Sequence, residues 1–462
     1  MALGGGTFLV QNKVLPGSYI NFISAARASA VLSDRGVATM PLELDWGPDE
    51  EVFAVENSEF QKDSVKIFGH AYTDEEMRHL RELFGSIRRA YLFKLNSGGQ
   101  KAANMFAEAR YTGKRGNALS IVIERNEAFE EETNELYDVS TLLDGDAVDV
   151  QKGVKTAAEL EANDFVTFKK DAVLAATAVA PLTGGTDGTV KNAAYQKYLD
   201  KIEAYTFNTM GCATEDPLVK GLFAAFTKRL RDECGVKFQT VLFRQDKADY
   251  EGIISVENGL AGDDANPALV YWVTGAEAGC EVNKSLTNRV YSGEYAVNTD
   301  YTQTQLENAI RAGKLLFHKV GDDVRLLTDI NTFTSVTDTK SSDFGSNQTV
   351  RVLDQIGNDI AALFNTKYLG KVQNDNAGRI SLWNDIVSHH NQMQTIRAIE
   401  NFSGDNVTVE IRLSGEAQRR LVGVEHPQEV FLRDFNLLGP RAESKAQLHR
   451  CPPCWTSCTR RG

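Results

Sequence analysis

A few strings in this chain hold residue types that could do chemistry. CPPC (451–454), with Cys458 after it and His449 before it, sets soft thiols and an imidazole at a spacing that suits zinc or disulfide exchange. The glycines of LTGGTDGT (182–189) could turn backbone N–H groups toward a phosphate ahead of a helix. SGGQKAAN (97–104) offers Gly98, Gly99 and Lys101 for the same task. His389 and His390 stand side by side as candidate metal ligands.

Each string also has a plainer reading. LTGGTDGT is neither G-x-G-x-x-G nor a Walker A sequence, because no Gly-Lys-Ser/Thr follows. Its glycines read as a turn leading into a domain, where they supply positive φ. SGGQKAAN has Ala102 where a P-loop needs a hydroxyl for Mg²⁺, so it reads as a loop into a β-rich insert. Adjacent histidines leave a helix on different faces and cannot share one metal. No H-E-x-x-H or G-x-S-x-G string occurs. Pairs such as Asp249 with Glu251, or Asp322 with Asp323, have the spacing of ordinary solvated surface. Cys212, Cys234 and Cys280 are scattered and read as reduced, mostly buried thiols. The residues therefore predict no catalytic set, no cofactor site and no metal centre.

The bulk numbers narrow the class. The chain has 462 residues and a net charge of −13, which disfavours a nucleic-acid-binding surface. No stretch approaches the roughly 18 apolar residues of a membrane span. The first residues lack a basic segment followed by an apolar one, so no signal peptide is read and a cytoplasmic origin is expected.

The elements that must position these strings fall into segments. Residues 1–25 read as an arm, with a glycine hinge at Gly4, Gly5 and Gly6 and a lone strand at Thr7, Phe8, Leu9 and Val10. Such a strand has no hairpin partner nearby, and it frays or adds to another sheet edge. Residues 26–95 read as a small α/β segment. Residues 96–180 read as short strands separated by turn chemistry, a β-sandwich or small-barrel insert. Residues 181–335 alternate helices and strands, which predicts a layered α/β core. Residues 336–410 are helix-rich, with an apolar stripe through Leu353, Ile356, Ile360, Leu363 and Phe364. After that the charge changes sign: residues 411–462 hold nine Lys and Arg against five acids. This tail shows no period of 2 or 3.6 and reads as unselected to fold, a disordered segment in which CPPC carries no function.

Several strings together resemble, in order, contractile phage tail sheath proteins of myophage, prophage or R-type bacteriocin particles. They are LTGGTDGT, ADYEGIISVENG (248–259), LVYWVTGAEAGCEVNKS (269–285), TDINTF (328–333), FGSNQTVRVLDQIGNDIAALFNTKYLG (344–370) and NDNAGRISLWNDI (374–386). The resemblance implies a multidomain α/β fold: a subtilisin-like core without protease activity, an inserted β-domain on the particle's outside and a helix-rich α+β C-terminal domain. It implies a structural subunit that stacks as hexameric rings around a tail tube and contracts to drive the tube through a cell envelope. Its partners would be further copies of itself, the tube protein, and baseplate and tail terminator proteins, with no nucleic acid and no membrane insertion. Its place would be the virion tail sheath, assembled in the host cytoplasm. Thr7–Val10 matches the family's N-terminal arm, and Lys367 and Lys371 are candidates for the tube-facing side. Sheath proteins typically end in a strand with Lys-Leu-Tyr near its start. The codons of WTSCT (455–459), read two bases later, can give Asp-Lys-Leu-Tyr, so the resemblance also implies a frameshift near Glu410. The alternative reading is an α/β hydrolase or nucleotide-binding enzyme built on residues 181–335.

Overall fold

The computed structural model describes residues 32–128, 130, 135–413 and 420–425. Regular structure begins with β1 (Val37–Leu42), β2 (Val52–Glu56), α1 (Asn57–Phe68), α2 (Arg78–Phe84) and β3 (Arg89–Lys94). The chain then leaves for β4 (Ala107–Ala109), β5 (Leu119–Arg125), β6 (Tyr137–Leu143), β7 (Asp146–Val154), β8 (Val166–Phe168) and β9 (Thr177–Pro181). It returns with α3 (Asn192–Ile202), β10 (Thr209–Cys212), α4 (Pro217–Asp232), β11 (Gln239–Phe243), β12 (Ile253–Val256), α5 (Leu269–Gly279), α6 (Gln303–Arg311) and β13 (Lys314–Leu315). A small hairpin, β14 (Phe317–Val320) and β15 (Asp323–Leu326), precedes α7 (Asn347–Leu363), α8 (Asn376–Thr395), β16 (Thr408–Leu413) and β17 (Arg420–Glu425).

The first and third groups build one seven-stranded sheet in the order β13-β12-β11-β10-β1-β3-β2. All its pairings are parallel except β2 with β3. Segments 26–95 and 181–335, separate in the sequence reading, thus share a sheet, joined where Ala38 and Thr39 of β1 meet Thr209 and Met210 of β10. The sequence reading did not name β1, and Pro41 is unusual in a central strand. The ladder explains the exception. Leu42 O accepts from Leu95 N at 2.8 Å, so alternate residues of β1 face β3. Pro41 then points its missing N–H toward the side where pairing with β10 has already ended.

Strand alternation sorts the core into two layers. Met40, Leu92, Val241 and Ile254 lie under α1, α2 and α5. Phe93, Met210, Leu242 and Ile253 lie under α3 and α4. α5 is apolar almost all round, as a fully buried helix must be. It reaches the α2 backbone through its small residues: a Cβ on Gly275 would stand 2.2 Å from Leu83 O, and one on Gly279 would stand 1.8 Å from Ser86 O.

In the insert, β7-β6-β5-β9 form one antiparallel sheet and β4-β8 a second. They enclose a single apolar core, into which β6 turns Tyr137, Val139 and Leu143. Two antiparallel sheets around one core are a sandwich. No helix among the described residues is long and apolar enough to cross a membrane.

Gly279→Ala should lower stability by about 1–3 kcal/mol or more, because backbone must move to admit the methyl. Urea unfolding checks this; an unchanged midpoint would mean that the α2–α5 contact is looser than described.

Candidate functional site: buried joints and an open hairpin

The two phosphate-cradle lookalikes turn out to be each other's partners. Gln100 N donates to Thr186 O, Ala103 N to Thr183 O, and Thr183 N back to Ala103 O, each within 3.1 Å. Gly188 N donates to Asn96 O at 3.0 Å, and Gly185 N to Asn117 Oδ1 at 2.8 Å. These amides are consumed within the protein, so neither loop presents a phosphate nest. A Cβ on Gly99 would lie 1.9 Å from Thr186 O, and one on Gly188 would lie 2.1 Å from Ser97 O. The glycines are there because two chain crossings between core and insert lie against each other.

Side chains reinforce this joint. Trp46, from the core, is buried in the sandwich, edge-on to Tyr111 with ring centroids 5.2 Å apart. Lys94, with no exposed side-chain surface, bonds Thr112 O at 2.7 Å and pairs with Asp49 at 3.2 Å. Arg115 of the insert donates to Gly69 O of the core at 2.6 Å.

The second joint is α7. Its apolar side packs Leu363 and Ile360 on Leu382 and Ile386 of α8. Its other side carries Asn347, Arg351, Asp354, Gln355, Asn358 and Asp359 at helical spacing, and this polar stripe is also covered. Arg351 Nη2 lies 2.6 Å from Glu277 Oε2 of α5 and 3.2 Å from Asp329 Oδ2, and all three side chains are at most 1% exposed. Asn347 Nδ2 donates to Glu277 Oε1 at 3.0 Å and Asp329 Oδ1 at 2.9 Å. Asp354 takes Arg231 of α4 in a two-point contact, at 2.5 and 2.8 Å. Asn358 and Lys237 exchange side-chain-to-backbone bonds at 2.8 and 3.2 Å.

Two carboxyls beside one guanidinium, away from water, do not share its charge equally. Burial pushes Glu277 up, the Asp329 charge pushes it further, and Arg351 offsets only part of this, leaving it at about 8. Burial also pushes Asp329 upward, but Arg351 and hydrogen bonds from Leu286 N and Asn347 outweigh that and hold it low. Near neutral pH the pair therefore holds one proton, on Glu277.

The two adjacent histidines are structural. His389 Nε2 meets Asp359 Oδ2 at 2.9 Å, and His390 Nδ1 takes a separate partner, Ile386 O, at 2.9 Å. Ser33 Oγ donates to Asp359 Oδ1 at 2.5 Å, which completes a serine–aspartate–histidine row. The carboxylate sits in the middle, so the imidazole cannot take the serine proton and the row is no nucleophilic triad.

At the end of the described chain, β16 and β17 pair antiparallel from Thr408 opposite Glu425 to Leu413 opposite Arg420. Among the described residues neither strand pairs with a third. Val407 and Val409 seat the hairpin on α8, where Trp383 Nε1 donates to Val407 O at 2.9 Å. Lys367 is tied to Asp385 at 2.6 Å, so its charge is spent inside the subunit. Lys371 is exposed, and its Nζ donates to Thr366 O at 2.6 Å. Thr7, Phe8, Leu9 and Val10 lie outside the described residues, as do His449, Cys451, Cys454 and Cys458. The sequence reading missed Glu277, Asp329 and the polar stripe of α7. The spacing of the stripe and the lone acid in an apolar helix were the signals available.

The described molecule is thus a layered α/β body with an inserted sandwich, buried polar joints and a hairpin that pairs with no third strand among the described residues. Family models agree along the chain. The N-terminal region of tail sheath Gp18 domain III matches residues 35–92, and the phage tail sheath protein beta-sandwich domain matches 96–187. The phage tail sheath protein central domain matches 188–332 and the phage tail sheath C-terminal domain matches 339–425. The chain belongs to the phage tail sheath protein family; it is a structural protein and not an enzyme, which sets aside the hydrolase alternative. The uncharacterized protein YqbK of Bacillus subtilis is 33% identical over 78% of this chain and 82% of its own. The phage-like element PBSX protein XkdK of the same organism is 32% identical over 78% and 81%. The solved sheath tail protein of Desulfitobacterium hafniense superimposes with a TM-score of 0.74 at 35% identity, covering 88% of this chain and 99% of that one. That of Listeria innocua gives 0.73 at 27%, covering 87% and 96%. The C-terminal match and the hairpin both run through Glu425, past the point near Glu410 where the sequence reading ended its resemblance.

Arg351→Met should destabilise the protein by about 3–5 kcal/mol in urea unfolding, because it leaves two buried carboxyls without their cation. A loss under 1 kcal/mol would show that water reaches the joint. Glu277 binds its proton more tightly folded than unfolded, so its contribution to stability falls as pH rises from about 4.5 to about 8. Glu277→Gln should remove that part of the slope; identical slopes in the two proteins would rule out the buried proton.

Proposed function

We propose that this protein polymerises as stacked hexameric rings around a tail tube, and that the rings contract to drive the tube through a target envelope. The observation that carries the proposal is the β16–β17 hairpin with its outer edges unpaired among the described residues. An isolated two-stranded sheet is marginal in water, so strands from neighbouring subunits would complete it. The arm at Thr7–Val10 supplies one such strand, and a C-terminal strand from a second neighbour supplies another. Main-chain pairing holds while the arm's hinge lets whole subunits rotate and slide.

In this scheme the core has the subtilisin-like layering of the family without its chemistry. The sandwich insert faces outward, and the α7–α8 side faces the tube with Lys371 as the available cation. The energy of contraction is a difference between two packings of one rigid subunit, with no nucleotide consumed. Other partners are the tube protein, a baseplate and a tail terminator, and assembly takes place in the host cytoplasm. The tail after Glu425 takes the place of the family's last strand, through a shift of reading frame.

Electron microscopy of three proteins tests this: the chain as it stands, a version with the frame restored after Glu425, and the restored version lacking residues 1–25. Striated cylinders or rings are expected from the second alone, with the third monomeric and unchanged in thermal stability. Equal assembly of the first and second would sink the missing-strand account. Polymers from the third would sink the arm.

A further inference from the structure

A cluster far from the hairpin has the chemistry of a metal site. His70, just after α1, is buried, and its Nε2 faces Asp45 at 3.0 and 3.1 Å from the two carboxylate oxygens. A carboxylate there accepts a hydrogen bond, so a neutral imidazole carries its proton on Nε2 and its lone pair on Nδ1. Among the described residues no hydrogen bond reaches Nδ1. Ligand atoms of His70, Asp74 and Glu76 all lie within 4.8 Å of one another.

Among the described residues no ion pair reaches Asp74 or Glu76. Asp74 Oδ2 accepts only from Ala71 N, at 2.7 Å, and Glu76 is exposed with no ion pair. Arg81, the cation on the adjoining helix, turns to the backbone carbonyls of Tyr72 and Asp74 and to the Glu294 carboxylate. Arg115 is committed to Gly69 O and Asp144. The second imidazole nitrogen of His70 and the carboxylates of Asp74 and Glu76 thus lie together, and the backbone N–H of Ala71 donates to Asp74.

We propose that His70, Asp74 and Glu76 bind a divalent transition metal such as Zn²⁺, Co²⁺ or Mn²⁺, with Asp45 orienting the imidazole. One nitrogen and two carboxylate oxygens suit these ions, and the imidazole argues against Mg²⁺ or Ca²⁺. Three protein ligands leave a position for water. The metal would clamp the connection between α1 and α2, next to the point where Arg115 of the insert grips Gly69, so it would stiffen the core–insert joint.

The test uses the full chain with Cys451, Cys454 and Cys458 changed to Ser, so that the tail thiols cannot compete for metal. Titration with ZnCl₂ by calorimetry, and with Co²⁺ by visible absorption, should give one equivalent per chain. Glu76→Gln, at an exposed position, should weaken binding at least tenfold while leaving the circular dichroism unchanged. Asp45→Asn should weaken it about 10–100-fold through the mis-set tautomer. No saturable binding, or binding indifferent to Glu76→Gln, would overturn the proposal.

Discussion

The described molecule depends on a polar helix face buried in a place where an apolar one would be expected. α7 presents an apolar stripe to α8 and a stripe of charge and amide to the core, so one helix holds both layers at once. Arg351 between Glu277 and Asp329 is the centre of that contact. A buried ion pair adds little net stability compared with well-packed hydrocarbon. What it does add is register. An apolar face can slide by a fraction of a turn at small cost, whereas Arg351, Asp354 and Asn358 each have one partner geometry. A subunit that moves as a rigid body in a polymer needs that kind of joint more than it needs extra stability.

The core–insert joint follows the same logic with different chemistry. There the two crossing strands lie so close that glycine alone fits at Gly99 and Gly188, and Trp46 plugs the sandwich from outside its own sequence. Both joints spend polar groups internally, among them the amides of Gln100, Ala103, Thr183, Gly185 and Gly188 in the two loops that look ready for a phosphate.

Much of this was legible in the sequence where local pattern and tertiary role agree. Val52–Glu56, Gln239–Phe243 and Ile253–Val256 announced themselves as strands by β-branched and aromatic content. The insert's strands and turns were equally plain, although Thr177–Pro181, rich in alanine, carried no such signal. β1 went unnamed, and the tolerance of its Pro41 depends on where β10 stops, a fact no local window contains. The apolar stripe of α7 was readable, but its polar stripe went unread, because the core that covers it lies far back in the chain. For the same reason the mutual pairing of LTGGTDGT and SGGQKAAN could not be seen, although each was correctly read as a loop. The family resemblance rested on long ordered strings and supplied what periodicity could not.

The central claim is that a subunit rigid at both joints assembles by lending strands to its neighbours' hairpins. Cryo-electron microscopy of assembled cylinders, at a resolution that traces the main chain, tests it most directly. The account predicts that core, insert and α7 superimpose as one body on the free subunit, with Arg351 still between Glu277 and Asp329. It also predicts a strand from another subunit along an edge of Thr408–Leu413 or Arg420–Glu425. Cylinders in which α7 has left the core, or in which the hairpin edges stay unpaired, would contradict it.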